Sequence, residues 1–289
     1  MATALTSRAT GLDVRETEDR DLLRAFLERD RLYSAYAICD LDDREFAKTR
    51  WGMAFSRGEP VALVLEYSGP TPQPIFAFGR PDGISAILRE LIRPRIAYCA
   101  VPSESLSGVA AVYRVDPGPA MVRMVVDLER FQPYPADVSR LSALDSGALN
   151  RLYQVGFASW LPAAAVANGV YYGMRVAGRL VAAAGTHVIS PTSRLGVVGN
   201  VLTHADYRGR GYATAVTSAV TAELLRACDQ VVLNVRSDNP PALATYRKLG
   251  YVEHVRFEER LIHRIAPPWA GLVAPIRRML PTRKENPAR

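Results

Sequence analysis

The sequence predicts an α/β protein built as two units, and three observations carry that expectation. Apolar runs of strand length alternate with helical periodicities along the chain. A proline-bearing segment, GlnProTyrProAla at 132–136, interrupts them near the middle, and a glycine-bearing loop joins a strand to a helix at 200–213. With 289 residues, 48% of them hydrophobic, each half is long enough to bury its own core without disulfide or metal staples. We therefore expect one unit over 1–135, a second over 136–265, and a basic tail over 266–289.

In the first unit, Leu22, Leu23, Phe26, Leu27 and Leu32 keep an amphipathic spacing that predicts a helix over 19–38. Strand-like runs at 61–66 and 75–78 flank a Gly/Pro-rich turn, and Ile84, Ile87, Leu88 and Leu91 predict a helix starting near Asp82. Further strands are expected over 96–101, 109–115 and 121–128. In the second unit, Leu144, Leu149, Leu152 and Tyr153 predict a helix, followed by a less regular stretch to Gly169. Strands over 171–176 and 180–189 join through a turn at Ala177 and Gly178, and 195–203 forms a third. A helix over 211–227, a strand over 231–235, a helix over 240–249 and a strand over 251–262 complete the unit. Pro240 and Pro241 suit the first turn of that last helix, where a missing amide donor costs nothing.

Composition narrows the function. Cys39, Cys99 and Cys228 are far apart, sit in apolar stretches and form no CxxC pair, so buried core thiols are expected rather than a disulfide framework or a metal site. The first twenty residues lack the apolar core of a signal peptide, and no stretch approaches the ~20 apolar residues of a membrane span, so a cytoplasmic protein is expected. Net charge is +7, and residues 247–289 hold ten Lys or Arg against four Asp or Glu. No arginine-rich run, helix-turn-helix signal or aromatic stacking motif accompanies that excess, so nucleic acid is not expected as a partner.

The informative segment is AsnValLeuThrHisAlaAspTyrArgGlyArgGlyTyrAla at 200–213, where an apolar strand passes through a short polar loop into glycines that open a helix. Gly209 and Gly211 let backbone approach a ligand closely, and the unpaired amides of a first helical turn, aided by the helix dipole, bind a pyrophosphate. Arg208 and Arg210 add positive charge. A Walker loop requires Lys-Ser/Thr after its glycine, whereas Tyr212 and Ala213 follow Gly211; a dinucleotide fingerprint requires a third glycine where Thr214 stands. Asp229 lies near the spacing of a ribose-binding carboxylate, which leaves a dinucleotide reading open.

ArgGlyArgGlyTyrAla at 208–213 resembles the R-x-x-G-x-A acetyl-CoA signature of the GNAT superfamily. AsnProProAlaLeuAlaThrTyrArgLysLeuGlyTyr at 239–251 resembles that family's N-x-x-A-x-x-x-Y-x-x-x-G-F/Y element, in the expected order and after the expected strand. The similarity covers about 137–265. The first half lacks the signature, but its strand and helix order, with GlyArgProAspGly at 79–83 where a glycine loop would lie, is similar to a degenerate copy of the fold, as in two-domain glycine N-acyltransferase-like proteins.

The resemblance implies a mixed, largely antiparallel sheet flanked by helices, and an N-acyltransferase moving an acetyl or other short acyl group from acyl-CoA to a small-molecule or peptide amine, without a metal. It implies that the backbone of Val201, Leu202 and Thr203 pairs with the pantetheine arm, that amides of Arg208, Gly209, Arg210, Gly211, Tyr212 and Ala213 hold the pyrophosphate, and that Tyr246 is the general acid for the departing thiolate. Asn239 either contacts the cofactor or caps its helix, and the same choice of packing or function applies to Tyr246. Asp206 and His187 are candidates for the base. A non-catalytic acyl-CoA-binding module is the alternative function. Acceptor and oligomeric state are not legible in the sequence.

Overall fold

The computed structural model describes residues 5–6, 11–69, 71–154 and 161–265. The basic tail and the first part of the irregular stretch before Gly169 lie outside the described residues. The elements run β1 (Leu5–Thr6), β2 (Asp13–Glu16), α1 (Arg20–Leu27), α2 (Ala35–Cys39), α3 (Asp43–Phe46), β3 (Thr49–Ser56), β4 (Glu59–Tyr67), β5 (Gln73–Gly79), α4 (Pro81–Glu90), β6 (Ile96–Pro102), α5 (Leu106–Ala110), β7 (Tyr113–Val115) and β8 (Met121–Val126) in the first half. The second half continues with β9 (Ser139–Arg140), α6 (Ser146–Tyr153), α7 (Ala163–Asn168), β10 (Tyr172–Val176), β11 (Arg179–Ser190), β12 (Leu195–Thr203), α8 (Tyr212–Leu224), β13 (Gln230–Arg236), α9 (Pro240–Lys248) and β14 (Val252–Arg264).

All fourteen strands join one mixed sheet in the order β1-β2-β3-β4-β5-β6-β14-β8-β13-β12-β11-β10-β9, with β7 also on β14. Two neighbouring pairs are parallel, β5 with β6 and β12 with β13; the rest are antiparallel. The two halves are stitched together by strands that cross over. β8 lies between β13 and β14, while β14 pairs with β8 over Val252–Phe257 and then with β6 over Phe257–His263. Each half thus covers a sheet edge of the other, which removes two lines of unpaired backbone groups.

Local chemistry explains most element ends. Asp19 caps α1 by accepting from the amides of Asp21 and Leu22, and Asn239 caps α9 by accepting from Ala242, with Pro240 at the first helical position. The two-residue hairpins at Arg57-Gly58 and Ala177-Gly178 have positive φ at both positions, the twist that right-handed strands favour. The cores sit on both faces of the sheet. Trp51, Met53, Phe55, Tyr33, Phe76 and Phe257 pack with Leu195, Val197 and Val232 in a single cluster spanning both halves. α4 covers the other face of the first half, and α8 and α9 cover that of the second. Cys39, Cys99 and Cys228 are free and buried.

Two expected elements are corrected. The helix over 19–38 is broken into α1, a 3-10 turn at Glu28–Asp30 and α2. Arg123, on a distant strand, donates to the carbonyls of Leu32 and Tyr33 and so holds them outside a helical ladder. The strand over 109–115 is instead the end of α5 followed by the short β7. Gly108 brings α5 so close to α4 that a Cβ there would lie 2.3 Å from the Pro81 carbonyl oxygen, a packing the local pattern does not encode.

Candidate active site

The parallel pair β12 and β13 holds from Leu195↔Gln230 to Val198↔Leu233 and then parts. Beyond that point β12 has no strand partner but β11 among the described residues, so residues 199–203 face the gap with no strand beside them; of their carbonyls, Asn200 accepts from the Tyr153 hydroxyl and Thr203 from Arg208 Nε. The gap opens into a cavity of about 1710 Å³ between the two halves. Two bulges shape its wall. One extra residue on β12 falls where Asn200 has φ +52°, and one on β11 falls at His187. Bulges re-aim side chains and recur beside functional sites; here they turn the His187 imidazole over Gly199, where a Cβ would meet the ring at 2.1 Å.

At the end of β12, a 3-10 turn at Ala205–Tyr207 leads to Arg208 and then to Gly209 and Gly211, with φ of +75° and +77°. Gly211 is the N-cap of α8. The amides of residues 209–214 donate to no acceptor among the described residues. Six neighbouring donors at a helix N-terminus, carrying the positive end of its dipole, make an anion cradle.

Val201, Leu202, Thr203, Arg208, Gly209, Gly211, Tyr212, Ala213, Asn239 and Tyr246 all line the cavity. Arg210 does not: its guanidinium donates to the Asp206 carbonyl and lies over the Tyr207 ring. Asp206 also stays outside, its carboxylate 77% exposed and beside His204. Tyr246 is 7% exposed, packs edge-on against Tyr251, and burial pushes its phenol up to about 12.

His187 is enclosed by protein yet reached by solvent through the cavity. That enclosure holds its imidazole below the usual histidine range, partly offset by the neighbouring Asn200 side chain. Its Nδ1 lies 3.0 Å from the Tyr36 hydroxyl. Tyr36 belongs to α2, so a helix from the first half closes the site of the second. The sequence did not point to Tyr36, Arg123, Asn234 or Glu259, all of which line the cavity. Of these only Arg123 carries a local signal, a lone charge inside the apolar run MetValArgMetValVal at 121–126.

The other parallel pair, in the first half, is built differently. β5 and β6 are parallel only over Gln73–Phe76 and Ala97–Ala100, and α4 follows β5 through Gly79 and Arg80. There the Asp82 carboxylate accepts from the Gly83 amide and pairs with Arg80, and Pro81 removes a donor. An anion meets a carboxylate at that helix start.

Residues 139–251 match the model of the acetyltransferase (GNAT) family. A stretch of 49 residues is 43% identical to an acetyltransferase of Yersinia pestis (strain Pestoides F), covering 17% of this chain and 35% of that protein. Another of 80 residues is 41% identical to a mycothiol acetyltransferase of Tsukamurella paurometabola, covering 27% of each. The chain thus spans about a third of the length of the curated relatives it matches. Among solved structures, a GCN5-related N-acetyltransferase from Sphaerobacter thermophilus superposes with a TM-score of 0.62 at 16% identity, over 90% of this chain and 98% of that one. A tandem GNAT protein from the clavulanic acid biosynthesis pathway gives 0.56 at 14% identity, over 89% and 99%. These two show likeness of fold across nearly the whole chain. Family match, splayed parallel pair and glycine-opened helix coincide in one region, the residues 139–251 that match the acetyltransferase (GNAT) family.

Proposed function

We propose that this protein transfers an acetyl or other short acyl group from acyl-CoA to an amine in the cavity between its halves. The observation that carries this reading is the row of free amides at 209–214, continuous with the stretch of β12 that has no strand on its gap side. A pyrophosphate fits the first and an extended, amide-bearing pantetheine arm fits the second. The acetyltransferases of Yersinia and Tsukamurella support the same activity.

In this reading the amine nitrogen attacks the thioester carbonyl carbon, the C–S bond breaks, and the amine proton passes to a base while the thiolate departs. Positioning of two substrates supplies much of the rate. His187 fits the base: the Tyr36 hydroxyl and the Asn200 side chain hold its ring, in the tautomer with the proton on Nδ1 its Nε2 lone pair can take the amine proton, and the lowered pKa favours the neutral form. Tyr246 fits the donor to sulfur. A phenol near 12 holds its proton more tightly than a thiol near ~8.5, so Tyr246 stabilises the thiolate by hydrogen bonding rather than by complete transfer. Tyr246→Phe should therefore lower kcat by roughly tenfold, less than the ~10²–10⁴ of full proton donation because only a hydrogen bond to the thiolate is lost, with the Kd for acetyl-CoA unchanged. A variant as fast as wild type, under conditions where chemistry limits turnover, reduces Tyr246 to a packing residue.

We read the chain further as units over 1–135 and 136–265 followed by the basic tail, with the first a degenerate copy of the second that has lost its anion cradle to Asp82 and Pro81. The whole-chain likeness to a tandem GNAT protein supports that reading. The test of function is release of free coenzyme A thiol from acetyl-CoA across amino acids, polyamines, aminoglycosides and peptide N-termini. Release with at least one class, uninhibited by NAD(P), is expected. Tight coenzyme binding without thiol release from any amine makes the protein a binding module instead.

A further inference from the structure

We propose that the acceptor amine also bears a carboxylate, and that the guanidinium of Arg123 binds it. The inference rests on the acyl-transfer reading for the identity of the reaction, but its evidence is separate. Arg123 lies on β8, 2% exposed, at the floor of the cavity. Its Nε donates to Asn234 Oδ1 at 2.9 Å, and its Nη1 donates to the carbonyls of Leu32, at 3.0 Å, and Tyr33. Nη2 has no acceptor among the described residues, and no carboxylate there forms an ion pair with Arg123.

A guanidinium cannot shed its charge by losing a proton at any pH of interest. Burying it without an anion is strongly unfavourable, because the charge loses its hydration and gains no opposite charge in return. The surroundings soften that cost without neutralising it: the rings of Tyr36, Phe257 and Tyr33 lie 5.1, 5.2 and 5.7 Å from Cζ. Glu259 also lines the cavity and is near enough for Arg123 to favour its charged form, but burial, the larger effect, raises its carboxyl, and the two side chains make no ion pair or hydrogen bond with each other. What remains is a fixed cation whose Nη2 has donors to spare, and a carboxylate oxygen meets both the charge and a free N–H with a charge-assisted hydrogen bond. The position is apt. Arg123 and His187 flank the Tyr36 side chain, so a carboxylate held at Arg123 directs the rest of the acceptor towards the imidazole and the gap beside β12.

The experiment compares matched acceptors, each amino acid with its carboxamide and its decarboxylated amine, by thiol release from acetyl-CoA. Wild type should favour the carboxylate in kcat/KM at least tenfold, and Arg123→Met should bring that ratio close to one; Arg123→Lys should retain part of it. If Arg123 only braces Leu32, Tyr33 and Asn234, its variants lower Tm and act on all acceptors alike, leaving the ratio unchanged, which overturns the proposal. Should Arg123→Met not fold, wild type alone decides: with coenzyme A bound, isothermal titration should show N-acetyl amino acids binding at least tenfold tighter than their amides, and equal affinity overturns the proposal. The two readings fail separately. Thiol release without carboxylate preference leaves acyl transfer standing and removes the Arg123 site. Carboxylate-selective binding without thiol release from any amine does the reverse.

Discussion

Gly211→Asp should weaken acetyl-CoA binding by roughly 100-fold or more, about 2.7 kcal/mol, while the protein still folds. Gly211 caps α8 with φ +77°, and its amide is among the six free donors at 209–214. A carboxylate there sets a negative charge against the pyrophosphate, and the longer side chain occupies the space the backbone must offer. The folded state bears a smaller burden. Asp tolerates the left-handed region better than most residues, and its Cβ would meet only the Tyr134 hydroxyl, at 3.1 Å. A loss of about 1–2 kcal/mol corresponds to a Tm lower by a few degrees, roughly 2–4 °C per kcal/mol at this size. Isothermal titration with acetyl-CoA, on a variant whose melting curve remains cooperative, reads the effect. Unchanged affinity would put the pyrophosphate elsewhere and remove the cradle from the mechanism. Gly211→Ala adds the strain without the charge, so it should fall between wild type and Gly211→Asp.

That cradle is local, which is why it was legible. β12, the glycine loop, α8 and α9 each carry their signals within a few residues: an apolar run, two glycines that take positive φ, an Asn cap and prolines at a first turn. β3 carries no such pattern. Trp51, Met53 and Phe55 face one core, but the alternate positions facing α4 are Gly52 and Ala54, because a Cβ at Gly52 would lie 2.6 Å from Ile87 Cγ2. Small residues under a helix erase the alternation by which a strand is recognised. The break after α1 is hidden for the opposite reason. Its apolar spacing continues through the break, and the group that interrupts it, Arg123, arrives from a strand more than eighty residues away.

The candidate site divides along the same line. The residues expected to hold coenzyme A lie in one continuous segment and one helix, and all but Arg210 line the cavity. The cavity-lining residues Tyr36, Arg123, His187 and Glu259 come from α2, β8, β11 and β14, which meet only because β8 and β14 cross between the halves. Strand exchange of this kind is a long-range pairing with no signature in a window of sequence. His187 was visible as a candidate base, but the bulge that turns it and the Tyr36 hydroxyl that orients it were not.

His187→Gln should lower kcat/KM by roughly 100-fold at pH 7.5, near the lower end of general-base contributions because water can substitute in part. Glutamine keeps a polar group for the Tyr36 hydroxyl and adds little strain, so the loss is expected in the chemical step rather than in folding. The pH dependence separates a base from a spacer. Enclosure favours the neutral imidazole and lowers its pKa below 6.5, so the base form is present at neutral pH and disappears as pH falls through the folded-state value. Wild-type activity should therefore converge on that of the variant as pH falls below the value of about 6.5 for a free imidazole. The acceptor's own ionisation acts equally on both proteins, so the ratio of wild type to variant is the quantity to follow. Stability must move in the same direction by linkage. With the folded pKa below the unfolded one, the unfolded chain binds more protons in that window, and the stabilisation present above pH 6.5 is lost as pH falls. The variant should accordingly lose less Tm than wild type between pH 8 and pH 5. A ratio near one, or one that stays constant across that range, would show that His187 takes no proton and that the amine is deprotonated by another route.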